Sequence, residues 1–259
     1  MTQIERRLFL IQELLKEQPK YSKIEIPPSG QEQKVLLRAL FNIRMPLPVN
    51  DAFLDVQNAY LQEEIHRKRV TRLTDLQAIQ QGLYLWQGDI TTLACGAIVN
   101  AANSQMLGCF YPNHGCIDNA IHTFAGVQLR LACAELMRKQ GHEEETGKAK
   151  ITPAFNLPCR YVIHTVGPII GEQVTKSDKN ALASCYRSCL ELAEQNGVKS
   201  IAFCCISTGE FHFPNDKAAE IAVQTVKDFK SQTHSEIEVI FNVFKDIDYK
   251  IYRELLGAN

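Results

Sequence analysis

Neither sign of charge is in excess in this sequence: 28 lysines and arginines stand against 29 aspartates and glutamates, a formal net charge of -1. A nucleic-acid backbone or an anionic bilayer therefore meets no attracting field from the molecule as a whole, and neither is expected as a partner. An anionic ligand has to be held by local geometry instead. Long apolar runs are missing as well, since none approaches the roughly 18 residues that span a bilayer. A basic head followed by an apolar stretch is also absent, because the N-terminal residues 1–16 intersperse charges among apolar positions, so the expected compartment is the cytoplasm.

What is present is ordinary for a globular chain: 45% hydrophobic and 22% charged residues over 259 positions, enough for one large domain or one domain with a sizeable extension. The nine cysteines are an odd number, and with no secretion signal they read as reduced thiols, metal ligands or buried small hydrophobes. Cys185, Cys189, Cys204 and Cys205 lie in apolar runs, where packing accounts for them.

Periodicity divides the chain in two. Ile4, Leu8, Ile11 and Leu15 are spaced as one helix face, closed by Pro19. Leu36, Ala39, Leu40 and Ile43 form a second stripe, stopped at residues 45–48, and a third helix starts at Asn50 or Asp51 and carries Phe53, Val56, Tyr60 and Leu61. From Leu83 strands appear, at 83–86, 97–99, 149–152, 161–165, 201–206 and 237–243. Between them run one long helical stripe (Ile117, Ile121, Ala125, Leu129, Ala132), a helix over 177–196 capped by Gly197, one opening at Pro214, and a last one over 246–256. Alternating strands and helices predict a mostly parallel sheet covered on both faces, with its ligand site beyond the carboxyl ends of the strands. Asp89, Asn100–Asn103 and Ser207–Phe213 each follow a strand, so they are expected to converge there.

Three segments carry chemistry. Cys109, His114 and Cys116 place two thiols and an imidazole within eight residues, ahead of a helix start. That donor set suits Zn²⁺ with a fourth position left open, and Cys116 at a helix N-terminus gains thiolate character from the dipole. The plainer reading is a loop with two incidental thiols and a surface histidine. Residues 207–214, Ser-Thr-Gly-Glu-Phe-His-Phe-Pro, join a strand to a helix; their backbone amides either cradle a diphosphate or only make a turn punctuated by Gly and Pro. Asp89, on the Gly88-Asp89-Ile90 turn, either accepts hydrogen bonds from an exocyclic amine or closes an Asx-turn on its own backbone.

Taken in order, Gly88-Asp89-Ile90-Thr91, Ala97-Ile98-Val99-Asn100-Ala101-Ala102-Asn103, Ile121-His122 with Ala125-Gly126, His164-Thr165-Val166-Gly167-Pro168 and Ser207-Thr208-Gly209 before Phe213-Pro214 resemble the macrodomain family from about Leu83 to Leu256. The resemblance implies a three-layer α/β/α sandwich that binds ADP-ribose, with residues 76–259 as the macrodomain and 1–75 as an N-terminal helical extension. It implies that Asp89 meets the adenine amine, that Ile90 adds a backbone contact, and that Phe244 stacks on adenine. Ser207, Thr208, Gly209, Glu210 and Phe211 would wrap the diphosphate, while Asn100, Asn103 and Phe213 would lie by the distal ribose. Asp118 aligns with the carboxylate that hydrolytic macrodomains use near the scissile bond, where it would orient a water or brace a zinc ligand. Its other reading is a first-turn residue that stabilises its helix.

One departure from the common pattern is informative. Hydrolytic macrodomains usually carry a glycine run where this chain has Gly108-Cys109-Phe110-Tyr111-Pro112-Asn113-His114-Gly115-Cys116, and His212 replaces a loop glycine. Both features resemble the zinc-dependent branch of bacterial and fungal ADP-ribosyl hydrolases. That branch implies one Zn²⁺ on Cys109, His114 and Cys116, and catalytic roles for Asn103 and Asp118. His122 is a further candidate ligand, with helix packing the favoured reading. The implied reaction is removal of ADP-ribose from an acidic side chain of a modified protein. The implied partners are a sirtuin-type ADP-ribosyl transferase and a lipoyl-carrier protein. O-acetyl-ADP-ribose deacetylation and non-catalytic ADP-ribose reading are the alternatives.

Overall fold

The computed structural model describes residues 1–257; Ala258 and Asn259, the end of the expected 76–259 range, lie outside the described residues. The chain opens with three helices, α1 (Gln3–Glu17), α2 (Gly30–Ile43) and α3 (Asp51–Arg67). Two of their starts are fixed by side chains that satisfy first-turn amides. Thr2 Oγ1 accepts from the Glu5 amide while the Glu5 carboxylate accepts from the Thr2 amide, and Asn50 Oδ1 accepts from the Phe53 amide at 2.8 Å. The three helices meet through one buried cluster that includes Leu10, Ile11, Leu14, Leu15, Leu37, Leu40, Phe53, Tyr60 and Leu61. The expected α1 stripe is displaced, since Ile4 is exposed and the buried face runs through Leu10 and Leu14 instead.

The strands are β1 (Thr71–Arg72), β2 (Ala78–Gln80), β3 (Leu83–Gln87), β4 (Leu93–Ala94), β5 (Ala97–Ala102), β6 (Ala149–Pro153), β7 (Tyr161–Val166), β8 (Ser200–Phe203) and β9 (Glu238–Val243). Among the described residues, β1 and β4 pair alone, and the others form a seven-stranded sheet in the order β2-β3-β9-β8-β5-β7-β6. The inner pairings are parallel and only the edge strands β2 and β6 run antiparallel. Interior parallel strands are covered on both faces, which is why Ala97, Ile98 and Val99 are apolar without alternation and fully buried. The helices α4 (Ile117–Ala125), α5 (Val127–Gln140), α6 (Lys176–Gln195), α7 (Asn215–Thr233) and α8 (Asp246–Leu255) flank the sheet. The result is a three-layer α/β/α sandwich preceded by a helical segment. Among the described residues, no helix is long and apolar enough to cross a membrane.

Three differences from the sequence reading have physical causes. The stripe from Ile117 to Ala132 is two helices, broken at Gly126, whose φ of 93° and ψ of 176° belong to a region essentially reserved for glycine. The break is locked from α3: Gln57 Oε1 accepts from the Val127 amide at 2.9 Å and so caps α5. The strand expected over 201–206 ends at Phe203, releasing Cys204–Ile206 toward the loop that follows. The two- and three-residue strands β1, β2 and β4 are too short to show a period.

A Cβ at Gly126 would lie 2.6 Å from Gln57 Nε2 and 2.8 Å from Gln128 Oε1. Gly126→Ala should therefore lower unfolding stability by about 1–3 kcal/mol through backbone strain and the lost cap. Urea denaturation checks this, and a midpoint equal to the parent's would show that the break is not a stability determinant.

Candidate active site

The parallel strands β3, β5, β7, β8 and β9 release their chains at one edge of the sheet, and the expected residues converge there. β5 leads into the loop that holds Asn103 and the Cys-His-Cys cluster, β8 into residues 204–214, β9 into Phe244, and β3 into Asp89.

The ligand atoms of Cys109, His114 and Cys116 all lie within 4.8 Å of one another, and each residue is partly exposed. Cys116 is the N-cap of α4, its sulfur accepting from the Asn119 amide at 3.4 Å. Burial nevertheless pushes its thiol up to about 12, with the Asn119 amide opposing and the Cys109 sulfur adding to the rise. Buried His114 Nδ1 has no partner among the described residues, while Nε2 stands 3.5 Å from Glu210 Oε1. Two soft sulfurs, one imidazole and an unpaired buried ring nitrogen at this spacing fit a zinc ion. Gly108 makes the loop possible, since a Cβ there would lie 2.7 Å from the His122 ring and its φ is +80°.

Behind the loop is a buried polar network. Asn100, at 0% exposure, donates through Nδ2 to Asp118 Oδ1 (2.8 Å) and lies 3.1 Å from His164 Nδ1. Its expected place by the distal ribose thus falls on a side chain turned wholly inward. Burial pushes the Asp118 carboxyl up to about 6, against the Asn100 hydrogen bond and the Arg130 charge, which draw it down. His122 Nε2 is 3.5 Å from the same carboxylate oxygen, and burial, followed by His164 and Arg130, holds the His122 imidazole well below its ordinary range. His122, Cys133 and His164 form a second buried group with metal-ligand spacing. Within it His164 Nε2 lies 3.0 Å from Thr152 Oγ1 and 3.7 Å from Cys133 Sγ, whereas neither ring nitrogen of His122 has a hydrogen-bond partner among the described residues. Burial pushes the Cys133 thiol up to about 12.

Facing the Cys-His-Cys loop across the His114–Glu210 contact, Ser207 and His212 take positive φ, and the turn closes through Phe213 N–H to Ser207 O (2.9 Å) and His212 N–H to Gly209 O (3.0 Å). Thr208 spends its hydroxyl on the Cys205 carbonyl. Among the described residues, the amides of Gly209, Glu210 and Phe211 donate no hydrogen bond within the protein. Phe213, expected against the distal ribose, is 1% exposed and packed within the sandwich core. Asn103 donates to the Gly108 carbonyl, and its buried Oδ1 has no partner among the described residues. At the far end Asp89 makes the Asx-turn, accepting from the Thr91 amide and hydroxyl (3.0 and 2.6 Å), and caps the short turn that buries Ile90. Its second oxygen accepts from Lys68 (3.0 Å). Burial raises the Asp89 carboxyl, but Thr91 and Lys68 overcome it, leaving it below its ordinary value. Phe244, 77% exposed, stands at the same end.

Sequence reasoning missed Lys68, Arg130 and the α2 residues Arg38 and Asn42, all of which reach the site from distant positions. For Arg38 and Asn42 the signal was weak: two polar side chains one turn apart in the apolar half of α2.

Burial alone holds His164 down at about 4 from its ordinary 6.5. The unfolded chain therefore binds more protons than the folded one between those values, and stability falls as pH drops through that window, by on the order of 3 kcal/mol. His164→Gln should flatten the pH dependence of urea stability over this range; an unchanged slope would place the effect elsewhere.

Residues 99–222 match the Macro domain family. A protein-ADP-ribose hydrolase of Treponema medium is 58% identical, covering 99% of this chain and 100% of that protein. One from Staphylococcus aureus (strain MSSA476) is 51% identical, covering 97% and 95%. The Trypanosoma brucei macrodomain in complex with ADP-ribose superposes with a TM-score of 0.67 at 29% identity, covering 89% of this chain and 97% of that one. With the motifs converging at one sheet edge and relatives alike from end to end, this chain belongs to the macrodomain family.

Proposed function

We propose that this chain is a zinc-dependent protein mono-ADP-ribosyl hydrolase that frees ADP-ribose from acidic side chains. The observation that carries the reading is the Cys109–His114–Cys116 donor cluster, facing the amide-lined turn across a 3.5 Å His114–Glu210 contact. Full-length relatives named protein-ADP-ribose hydrolase support it, as does an ADP-ribose complex of the related trypanosomal macrodomain. A reader needs no such donor set at the ribose end of its cleft.

In this reading Asp89 accepts from the adenine amine beside the Ile90 backbone, and Phe244 stacks on the base. Residues Ser207 to Phe211, with His212 completing the turn, hold the diphosphate through backbone amides, which suits a protein without net positive charge. The unpartnered Oδ1 of Asn103 orients the distal ribose over a floor that includes Phe213. Asn100 fixes Asp118, and Asp118 orients the attacking water. Zn²⁺, when bound, supplies Lewis acidity at the distal ribose. The water oxygen forms a bond to the anomeric carbon, the side-chain carboxylate leaves with the electron pair of the broken bond, and the water proton passes to solvent.

A protein substrate is favoured over O-acetyl-ADP-ribose by Tyr111 and Ile169, large apolar side chains 70% and 68% exposed on the loops after β5 and β7. The substrate we infer from the zinc-branch resemblance is a lipoyl-carrier protein modified by a sirtuin-type transferase. Nine cysteines with no disulfide among the described residues support a reducing, cytoplasmic setting.

Cys109→Ala and His114→Ala should each lose zinc and lower turnover on an acidic-residue-modified protein by about 100-fold or more, the scale of a lost Lewis acid. Metal analysis with turnover before and after a strong chelator checks this; undiminished turnover in metal-free protein removes zinc from the reaction. Phe244→Ala should raise KM about 10-fold with kcat little changed, since base stacking is worth roughly 1–3 kcal/mol. An unaltered KM would move the base elsewhere.

A further inference from the structure

We propose that α2, from the N-terminal helical segment, is part of the metal site, with Arg38 and Asn42 as positioning residues that hold the Cys109–Cys116 loop in its ligating shape. This rests on the zinc reading above and adds to it the residues that set the affinity.

The loop has little internal support: it lacks regular structure, and its backbone closes on itself through the His114 amide to the Tyr111 carbonyl at 3.2 Å. Its anchors come from outside. Arg38 donates from its guanidinium to the His114 carbonyl (3.0 Å) and to Asn119 Oδ1 (2.8 and 3.2 Å). Asn119 in turn donates to the Tyr111 carbonyl at 3.0 Å, so one fork secures the backbone of the ligand histidine and the first turn of α4 together. One helical turn along α2, on the same face, Asn42 Oδ1 accepts from the Asn113 amide (2.9 Å) while its Nδ2 donates to Thr123 Oγ1 (2.9 Å). Asn113 has a φ of +56°, an unusual conformation directly before His114, and the Asn42 carboxamide is what secures its amide.

α2 is itself held at the right height. Arg130 on α5 donates to the carbonyls of Phe41, Asn42 and Arg44 at the end of α2. The same side chain donates to the Leu107 carbonyl at 2.6 Å and lies 4.3 Å from the Phe110 ring centroid. The loop is therefore clamped at its start by Arg130, in its middle by Asn42 and at its end by Arg38. Such clamping prepays the loop-ordering entropy that zinc binding would otherwise have to cover.

The test uses full-length protein with zinc itself as probe, by competition against a chromophoric chelator, alongside thermal unfolding of the metal-free form. Arg38→Ala and Asn42→Ala should each weaken zinc binding 10- to 100-fold, the usual effect of removing a group that braces a ligand. Arg38→Ala should change the metal-free unfolding temperature little, while Asn42→Ala, which empties a buried hydrogen-bonding position, should also lower it. Arg38→Lys keeps charge without the fork and should weaken zinc comparably, which keeps the comparison available should the alanine variant fold poorly. Lys34→Ala, which breaks the Lys34–Glu64 pair elsewhere on α2, should leave zinc affinity intact. Wild-type affinity in the Arg38 and Asn42 variants overturns the proposal, as does equal weakening in the Lys34 variant, which would mean general loosening. Wild-type protein that takes up no zinc is a separate result and overturns the zinc reading together with this one.

Discussion

A buried guanidinium governs how this molecule is assembled. Arg130 is 5% exposed and its nearest partners are four backbone carbonyls, three of them closing α2 and the fourth belonging to Leu107. A charge taken out of water is tolerable only where dipoles replace the solvent it lost, and the carbonyl end of a helix offers a concentrated set of them. The helix must end at that place, and α5 must present Arg130 to it. Once both conditions hold, the position of α2 against the metal loop follows. The break at Gly126 contributes, because it gives α5 a direction independent of α4.

The interior of the site shows the complementary situation, in which burial works against charge on the ionisable groups. Asn100 joins Asp118 to His164, and burial opposes charge on both: upward for the carboxyl, downward for the imidazole. The polar face of the cleft is built from amides and a donor cluster rather than from fixed cations. This agrees with a chain whose summed charge is close to zero.

Local features were legible in the sequence and long-range ones were not. The Asn50 cap, the helix starting behind Pro214 and the Cys109–Cys116 spacing all concern neighbours in the chain, and the structure brings each set together. The sandwich was legible because its interior strands are continuous apolar runs. The Gly126 break was hidden because α4 and α5 carry one uninterrupted apolar stripe. The inward turn of Asn100 depends on partners 18 and 64 residues away. Arg38 and Asn42 act across 76 and 71 residues, and no local period distinguishes them from solvated polar positions. The helix-terminal position of Cys116 was legible too, whereas the burial of its thiol is a property of the packed state.

The two hydrophobic clusters have exchanged members: Val127 of α5 lies in the helical cluster, and Ile65 of α3 lies in the sandwich cluster. The sandwich is therefore not a cassette that can be lifted out and grafted elsewhere. Excised from its helices, it would lose a side chain from its own interior and present Val127, Arg130 and the unsupported loop to water. A change in the packing of either the helical segment or the sandwich is therefore felt in the other.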